Sequence, residues 1–467
     1  MKNLMNTLMV LMAVGLTACG AGGGGSNVGG GGDPVPSPTP AGGGGGGGGS
    51  ALAFSNFTLS MGNFGTMTPS GGSGSYSFTE TAGNAYATVV SSLISSTGIG
   101  SGSVMVSDGS SNVTANFQVK GANSLMVGLN TVCANITDST TQCFGGSVES
   151  LSTHSNTPST STALGNFTSL TEGKYGFSCV VSGGLVGCIG DNSSGALGNG
   201  TYTNSPSAAV QVTGLTNITK VVSGAGHVCA LKSDGNLYCW GDNFYGEVGI
   251  GSATNYFNTP QHVTFASAVT DIAASYETTC ALLFSGAVQC WGAGSYGQLG
   301  NGTTAYSSNV PVTAMSSGAT AISVGKTFAC AGTSTGVKCW GDNSDVQLGN
   351  NGANSSTPVS ANNITTAVTS ITSSAASSCA LLSSGKVYCW GINQLGQLGD
   401  SSANATAQPV QIFASAVDVQ MGTNFGCARF SDKSIKCWGS NSLGTLGNST
   451  TSVTSTSTPG VPTTNWK

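Results

Sequence analysis

Charge is scarce in this chain. Its 467 residues carry only 12 basic and 17 acidic side chains, and Arg429 is the sole arginine. Nucleic-acid binding needs clustered lysine and arginine to release counterions from phosphates. No such cluster exists, so no nucleic-acid partner is expected. Segments with helical periodicity are equally rare, and 73 glycines suit short strands and tight turns better than helices. His154, His227 and His262 are the only histidines. None has a matched nucleophile or a carboxylate pair beside it, so no catalytic residue, cofactor or metal is expected. Asp191-Asn192, Asp242-Asn243 and Asp342-Asn343 are open to a calcium reading, but Asp and Asn bond their own backbone in tight turns, which explains them better.

Cysteine, by contrast, is abundant and patterned. Fourteen of the 15 form pairs nine or ten positions apart, recurring every 46 to 51 residues. The pairs are Cys133 with Cys143, Cys179 with Cys188, Cys229 with Cys239, Cys280 with Cys290, Cys330 with Cys339, Cys379 with Cys389, and Cys427 with Cys437. Such a period predicts an array of small β units. Around each pair the sequence alternates like two strands joined by a turn. Pairs ten apart are symmetric about a three-residue loop whose third position carries Gly235, Gly286 or Gly385, a left-handed position that favours glycine. Pairs nine apart are symmetric about Gly183-Gly184 or Ser334-Thr335. Spacing and loop length change together, so the cysteines stay directly opposite. Opposed strand residues lie within disulfide reach. Zinc would call for closer pairs and converging hairpins, and seven cross-strand disulfides are the expectation.

One long apolar run exists, Leu4 to Leu16, after Lys2 and before Leu16-Thr17-Ala18-Cys19. It reads as an export signal rather than a membrane span, and its end resembles the lipobox of bacterial lipoproteins. That resemblance implies that residues 1–19 form a lipoprotein signal segment with its lipobox cysteine, that Cys19 is acylated and becomes the mature N-terminus, and that the membrane is a partner through this lipid anchor. Gly20 stands where the inner-membrane retention signal usually has Asp. The implied address is therefore the outer membrane, facing the periplasm or the cell surface. Export to an oxidising compartment agrees with the disulfides. Residues 20–50, glycine runs around Asp33 to Pro40, have too few apolar side chains to fold and form a tether.

Residues 51–120 alternate with period two, most clearly in Val113 to Lys120. Val104-Met105-Val106 precedes them across Asp108 to Ser111 as a hairpin. The segment is similar to the immunoglobulin-like spacer domains of bacterial surface proteins, with extra strands packed on the repeats as the other reading. From residue 121 to 467 the blocks are strong: Cys-Trp-Gly, then Gly297-Gln298-Leu299-Gly300 or Gly396-Gln397-Leu398-Gly399, then Pro311-Val312, Pro358-Val359 or Pro409-Val410. They resemble the regulator of chromosome condensation repeat. Phe144 and Ile189 replace the Trp in repeats one and two, and repeat one lacks the Gly-Gln-Leu-Gly block. The resemblance implies an all-β chain: a seven-bladed β-propeller preceded by a small immunoglobulin-like β-sandwich. It further implies that the chain's two ends share a blade, closed by Thr458 to Pro462, and that His227 makes a structural hydrogen bond.

The family's exchange activity on a nuclear GTPase is not implied, given the export signal and the uniform repeats. Secreted bacterial members that bind a β-lactamase show the scaffold serving as a protein binder, without transferring that target. The connections between blades carry Tyr202, Tyr256 with Phe257, and Tyr306. Clustered aromatics are enriched at binding hot spots, and rings that merely cover the rim are the plainer explanation. The expected partner is a protein, with a glycan second and an enzyme on envelope polymers as the alternative of another class.

Overall fold

The computed structural model describes residues 51–61, 63–71, 75–146, 155–161, 165–447 and 456–460. Cys19, the apolar leader, the tether, His154 and Val461-Pro462 lie outside them. Every regular element among the described residues is a β-strand.

The expected hairpin forms: Gly100–Ser107 pairs antiparallel with Asn112–Lys120, Val106 opposite Val113. Asp108 Oδ1 accepts the N–H groups of Ser110 and Ser111 and holds the turn. Ala115, Phe117 and Val119 point inward while their polar neighbours face water. Phe57–Ser60 adds beside them in parallel and Ser77–Ala82 closes the other edge. A second sheet of three strands contributes Ala87 and Ile94 to the same core. Lys120, at a polar position yet buried, is ion-paired with Asp138 at 2.8 Å.

Among the described residues seven four-stranded antiparallel sheets follow, each from one continuous stretch of chain. The third is typical: Ile218–Ser223, His227–Lys232, Leu237–Asp242 and Tyr256–Val263. First strands of consecutive sheets lie side by side in a closed cycle, the seventh returning to the first. The cores sit between sheets. One spans sheets two and three around Trp240, the next spans three and four around Trp291, and so on to sheets seven and one around Phe144 and Phe425.

All seven cysteine pairs are directly opposed and bonded, with Cα atoms 4.0 to 4.1 Å apart. Cys133 is bonded to Cys143 in sheet one, Cys179 to Cys188 in sheet two, and Cys229 to Cys239 in sheet three. Cys280 is bonded to Cys290, Cys330 to Cys339, Cys379 to Cys389, and Cys427 to Cys437 in the four sheets that follow. Each bond joins the second and third strands of one sheet, and none joins two sheets. The loops behave as the spacing requires. Lys232 pairs with Asn236 across Ser233-Asp234-Gly235, and Gly235 has φ 84°. Ser182 pairs with Leu185 across two glycines, both at positive φ. Where glycine is missing from the third loop position, Ser139 and Lys433 adopt the left-handed conformation themselves, each at φ 69°.

The expectation that the chain's ends share a sheet is corrected. Thr456–Gly460 pairs with Ile435–Gly439 inside the last sheet, and Met126–Val127 pairs with Thr131–Asn135 inside the first. Both ends complete their own meanders, so closure is left to contacts between sheets.

Candidate binding face

Two sets of loops emerge on one side of the cycle: those joining first to second strands and those joining third to fourth. Tyr202 and Tyr306 lie in third-to-fourth connections of sheets two and four, and Tyr256 opens the fourth strand of sheet three. They therefore belong to connections within sheets, not between them. The reason is that the strand after each Cys-Trp-Gly block returns along the same sheet.

The structure does not gather the four expected residues equally. Tyr306, 62% exposed, has its ring 5.3 Å from Tyr245, which in turn lies 5.2 Å from Phe244. The hydrogen bond with Tyr306 pushes the Tyr245 phenol up to about 12. Tyr256 is exposed and stands cross-strand from Asp242. Tyr202 is exposed. Phe257 instead packs into the cores on both sides of sheet three, so it is a packing residue.

Sequence reasoning missed Tyr175, Phe244, Tyr245 and Tyr296, all on this side. Tyr175 comes from the first loop of sheet two. A Cβ on Gly226 would lie 2.8 Å from Tyr175 Cδ2 and 3.0 Å from Asp242 Cβ, so the ring and the Asp242 side chain flank that glycine. The signal for the others was present: repeats two and five have Ser193-Ser194 and Ser344-Asp345 where repeat three has Phe244-Tyr245.

Three carboxyl groups share this corner. Asp242 Oδ1 accepts the Phe244 N–H at 3.1 Å, and burial raises its pKa. Burial raises Glu277 too, tempered by Lys174 and Lys326. Glu247, 1% exposed, accepts the Tyr245 N–H at 2.8 Å, and burial pushes it up to about 8. Towards the axis, Tyr276 holds φ 48° under two lysines, Lys174 Nζ 4.5 Å and Lys326 Nζ 5.5 Å from its ring centre. Lys174 and Tyr276 line a central cavity of about 450 Å³.

His227 is fully buried, its Nε2 2.8 Å from Thr279 Oγ1 of the next sheet, and burial pushes it down to about 3. That is a structural bond between sheets. His262 is held by Asn236 Oδ1 at 3.2 Å. The Asp-Asn pairs build turns: Asp191 and Asp342 Oδ1 accept the N–H two residues on, while Asn192, Asn243 and Asn343 Oδ1 accept the N–H five residues on. No group of three or more metal-ligating side chains occurs among the described residues.

The family model of the RCC1-like domain matches residues 185–465. The ultraviolet-B receptor UVR8 of Arabidopsis thaliana is 35% identical over 123 residues, 26% of this chain and 28% of the receptor. The human E3 ubiquitin-protein ligase HERC2 is 33% identical over 132 residues, 27% of this chain and 3% of the ligase. The matched stretch thus spans under a third of either relative's length. Among solved structures, yeast RCC1 (Prp20), crystallised with Kap60, has a TM-score of 0.59 at 19% identity, covering 73% of this chain and 84% of that one. Human WBSCR16 has a TM-score of 0.57 at 21% identity, covering 67% and 88%. These likenesses carry the fold alone. With the family model matching more than half of its length, this chain belongs to the RCC1-like domain family of β-propellers.

Proposed function

We propose that the protein is a bacterial lipoprotein, acylated at Cys19 and held at the outer membrane, whose seven-bladed propeller binds another protein. Residues 20–50 act as its tether and residues 51–120 as an immunoglobulin-like spacer. The observation that carries the binding reading is the group of exposed rings on one face: Tyr175, Phe244, Tyr256, Tyr296 and Tyr306 are each between 46% and 62% exposed. Large aromatic rings left in water cost free energy, and their clustering marks a contact surface. The yeast relative bound to Kap60 is a propeller of this fold carrying a protein partner. A glycan is the second reading, because the same tyrosines present faces that stack on sugars.

Quantitative capture from envelope extracts tests it, with wild-type chain beside Tyr256→Ala/Tyr306→Ala. A protein enriched by the wild type and at least tenfold depleted with the variant is expected. Equal recovery from both would reject this face, and loss of a polysaccharide instead would favour the glycan. In the same cells, Cys19→Ala should release the protein from the membrane fraction, and continued attachment would refute the lipid anchor.

A further inference from the structure

The tyrosine face carries one carboxylate, Asp242, whose charge no described cation offsets. The ion pairs described in the chain, Lys120–Asp138, Lys220–Asp271 and Lys232–Asp234, all lie elsewhere. Lys174 and Lys326 sit over Tyr276, towards the axis, and act on Glu277 rather than on Asp242. Among the described residues Asp242 has no cation beside it, and its carboxylate is bonded to the backbone N–H of Phe244. It lies between two exposed rings: Tyr175, which flanks Gly226 with it, and Tyr256, its cross-strand neighbour. Burial raises the Tyr175 phenol, and Glu277 and Asp242 both lie close enough to raise it further.

Glu247 supplies an independent indication. Its position takes a side-chain acceptor for the N–H two residues earlier, and Gln298, Gln347 and Gln397 fill that role in three other repeats. The fold therefore needs an amide oxygen there, not an acid. Repeat three alone among these four carries a carboxyl group, buried and bonded to the backbone of Tyr245, at a cost in desolvation. Glu247 keeps its proton while the corner is empty, and an approaching cation favours its ionised form, so an acid that the fold does not require, beside Asp242 and exposed ring faces, makes sense as preparation for a cation.

We propose that Tyr175, Asp242 and Tyr256, with Glu277 nearby, form a recognition site for a basic side chain, an arginine or lysine of the protein partner. The ring faces supply cation–π attraction, and the carboxylate supplies a charge-assisted hydrogen bond. The net charge of −5 steers basic partners towards the chain in general. This inference rests on the protein-binding reading, and narrows the partner to one presenting a basic segment.

The test is fluorescence anisotropy on the full chain with a labelled Gly/Ser peptide carrying spaced arginines, against the same peptide with norleucine in their place. The arginine peptide should bind saturably and lose affinity in high salt, and the norleucine peptide should not bind. Asp242→Asn/Glu277→Gln should weaken the arginine peptide about tenfold or more, as should Tyr256→Ala. These are exposed or half-buried positions, and an unchanged melting temperature would show that folding is intact. Equal binding of both peptides, no saturable binding, or affinity unmoved by the substitutions would overturn the site. If Asp242→Asn/Glu277→Gln still captures the envelope partner while Tyr256→Ala/Tyr306→Ala does not, cation recognition fails and the protein-binding reading stands.

Discussion

Glu247 makes a prediction that its glutamine counterparts cannot. In the folded chain it is pushed up to about 8 from an ordinary 4.5 by burial, with Asp242 and Glu277 adding to the effect. Between those values the native state holds a proton that the unfolded chain releases. Stability from this group is therefore complete below about pH 4.5 and is lost as pH rises towards 8, at up to ~1.4 kcal/mol per pH unit. His227 works in the opposite sense. Kept neutral by burial, with its pKa down at about 3, it favours unfolding as pH falls below its ordinary 6.5. The difference between wild type and Glu247→Gln isolates the first effect. Urea midpoints should converge near pH 5, and the variant should be the more stable by pH 8. A variant that follows the wild type across that range would show Glu247 ionised in the fold. Gln is the natural choice because Gln298 Oε1 already makes the same bond, to the Tyr296 N–H at 2.9 Å.

The Gly-x-Leu-Gly block and the Trp of the following repeat form one joint. Trp240, Trp291, Trp340, Trp390 and Trp438 each donate their indole N–H to the x-residue carbonyl of the preceding repeat, at 2.7 to 2.9 Å. The leucine (Val248 in repeat three) is buried. The second glycine lets the loop lie against the indole: a Cβ on Gly300 would fall 2.7 Å from Trp340 Nε1. Trp340→Phe should fold, since Phe144 occupies the same position in sheet one, but it orphans the buried Gln298 carbonyl. A loss of about 2–3 kcal/mol in denaturant unfolding is expected, and a loss under about 0.5 kcal/mol would show that packing alone holds the joint. The pairing of these residues is hidden in the sequence, because each joint links positions 41 to 44 residues apart across two sheets. The hairpins were legible, because both cysteines and their loop lie within a dozen residues. The aromatic corner was half legible for a similar reason: Tyr256 could be found within its own repeat, whereas Tyr175 reaches it only through the curvature of the cycle.

Among the described residues, five of the seven junctions between sheets have such an indole bond, and the two flanking sheet one do not, because Phe144 and Ile189, at the Trp position, have no side-chain N–H to give. Sheet one also has the shortest first strand, Met126–Val127. Other devices hold it. Glu172 of sheet two accepts the Asn130 N–H at 2.8 Å and the Thr131 hydroxyl at 2.5 Å. On the other side Gln420 acts as a strand substitute: its Nε2 donates to the Leu125 carbonyl at 2.7 Å and its Oε1 accepts the Val127 N–H at 3.0 Å. The Thr423 N–H adds a bond to the Leu129 carbonyl at 2.8 Å. Among the described residues these side chains hold the closure where the other junctions have indoles, and opening should begin there. Gln420→Ala removes both amide bonds and leaves two backbone groups unpaired. Native-state hydrogen exchange should then quicken about 30- to 100-fold in Thr131–Asn135 and Asp418–Met421, while Thr278–Leu283, on the far side, keeps its protection. A uniform acceleration through all seven sheets would mean that the cycle opens only by unfolding as a whole. In that case Gln420 would be one stabilising contact among many rather than the clasp.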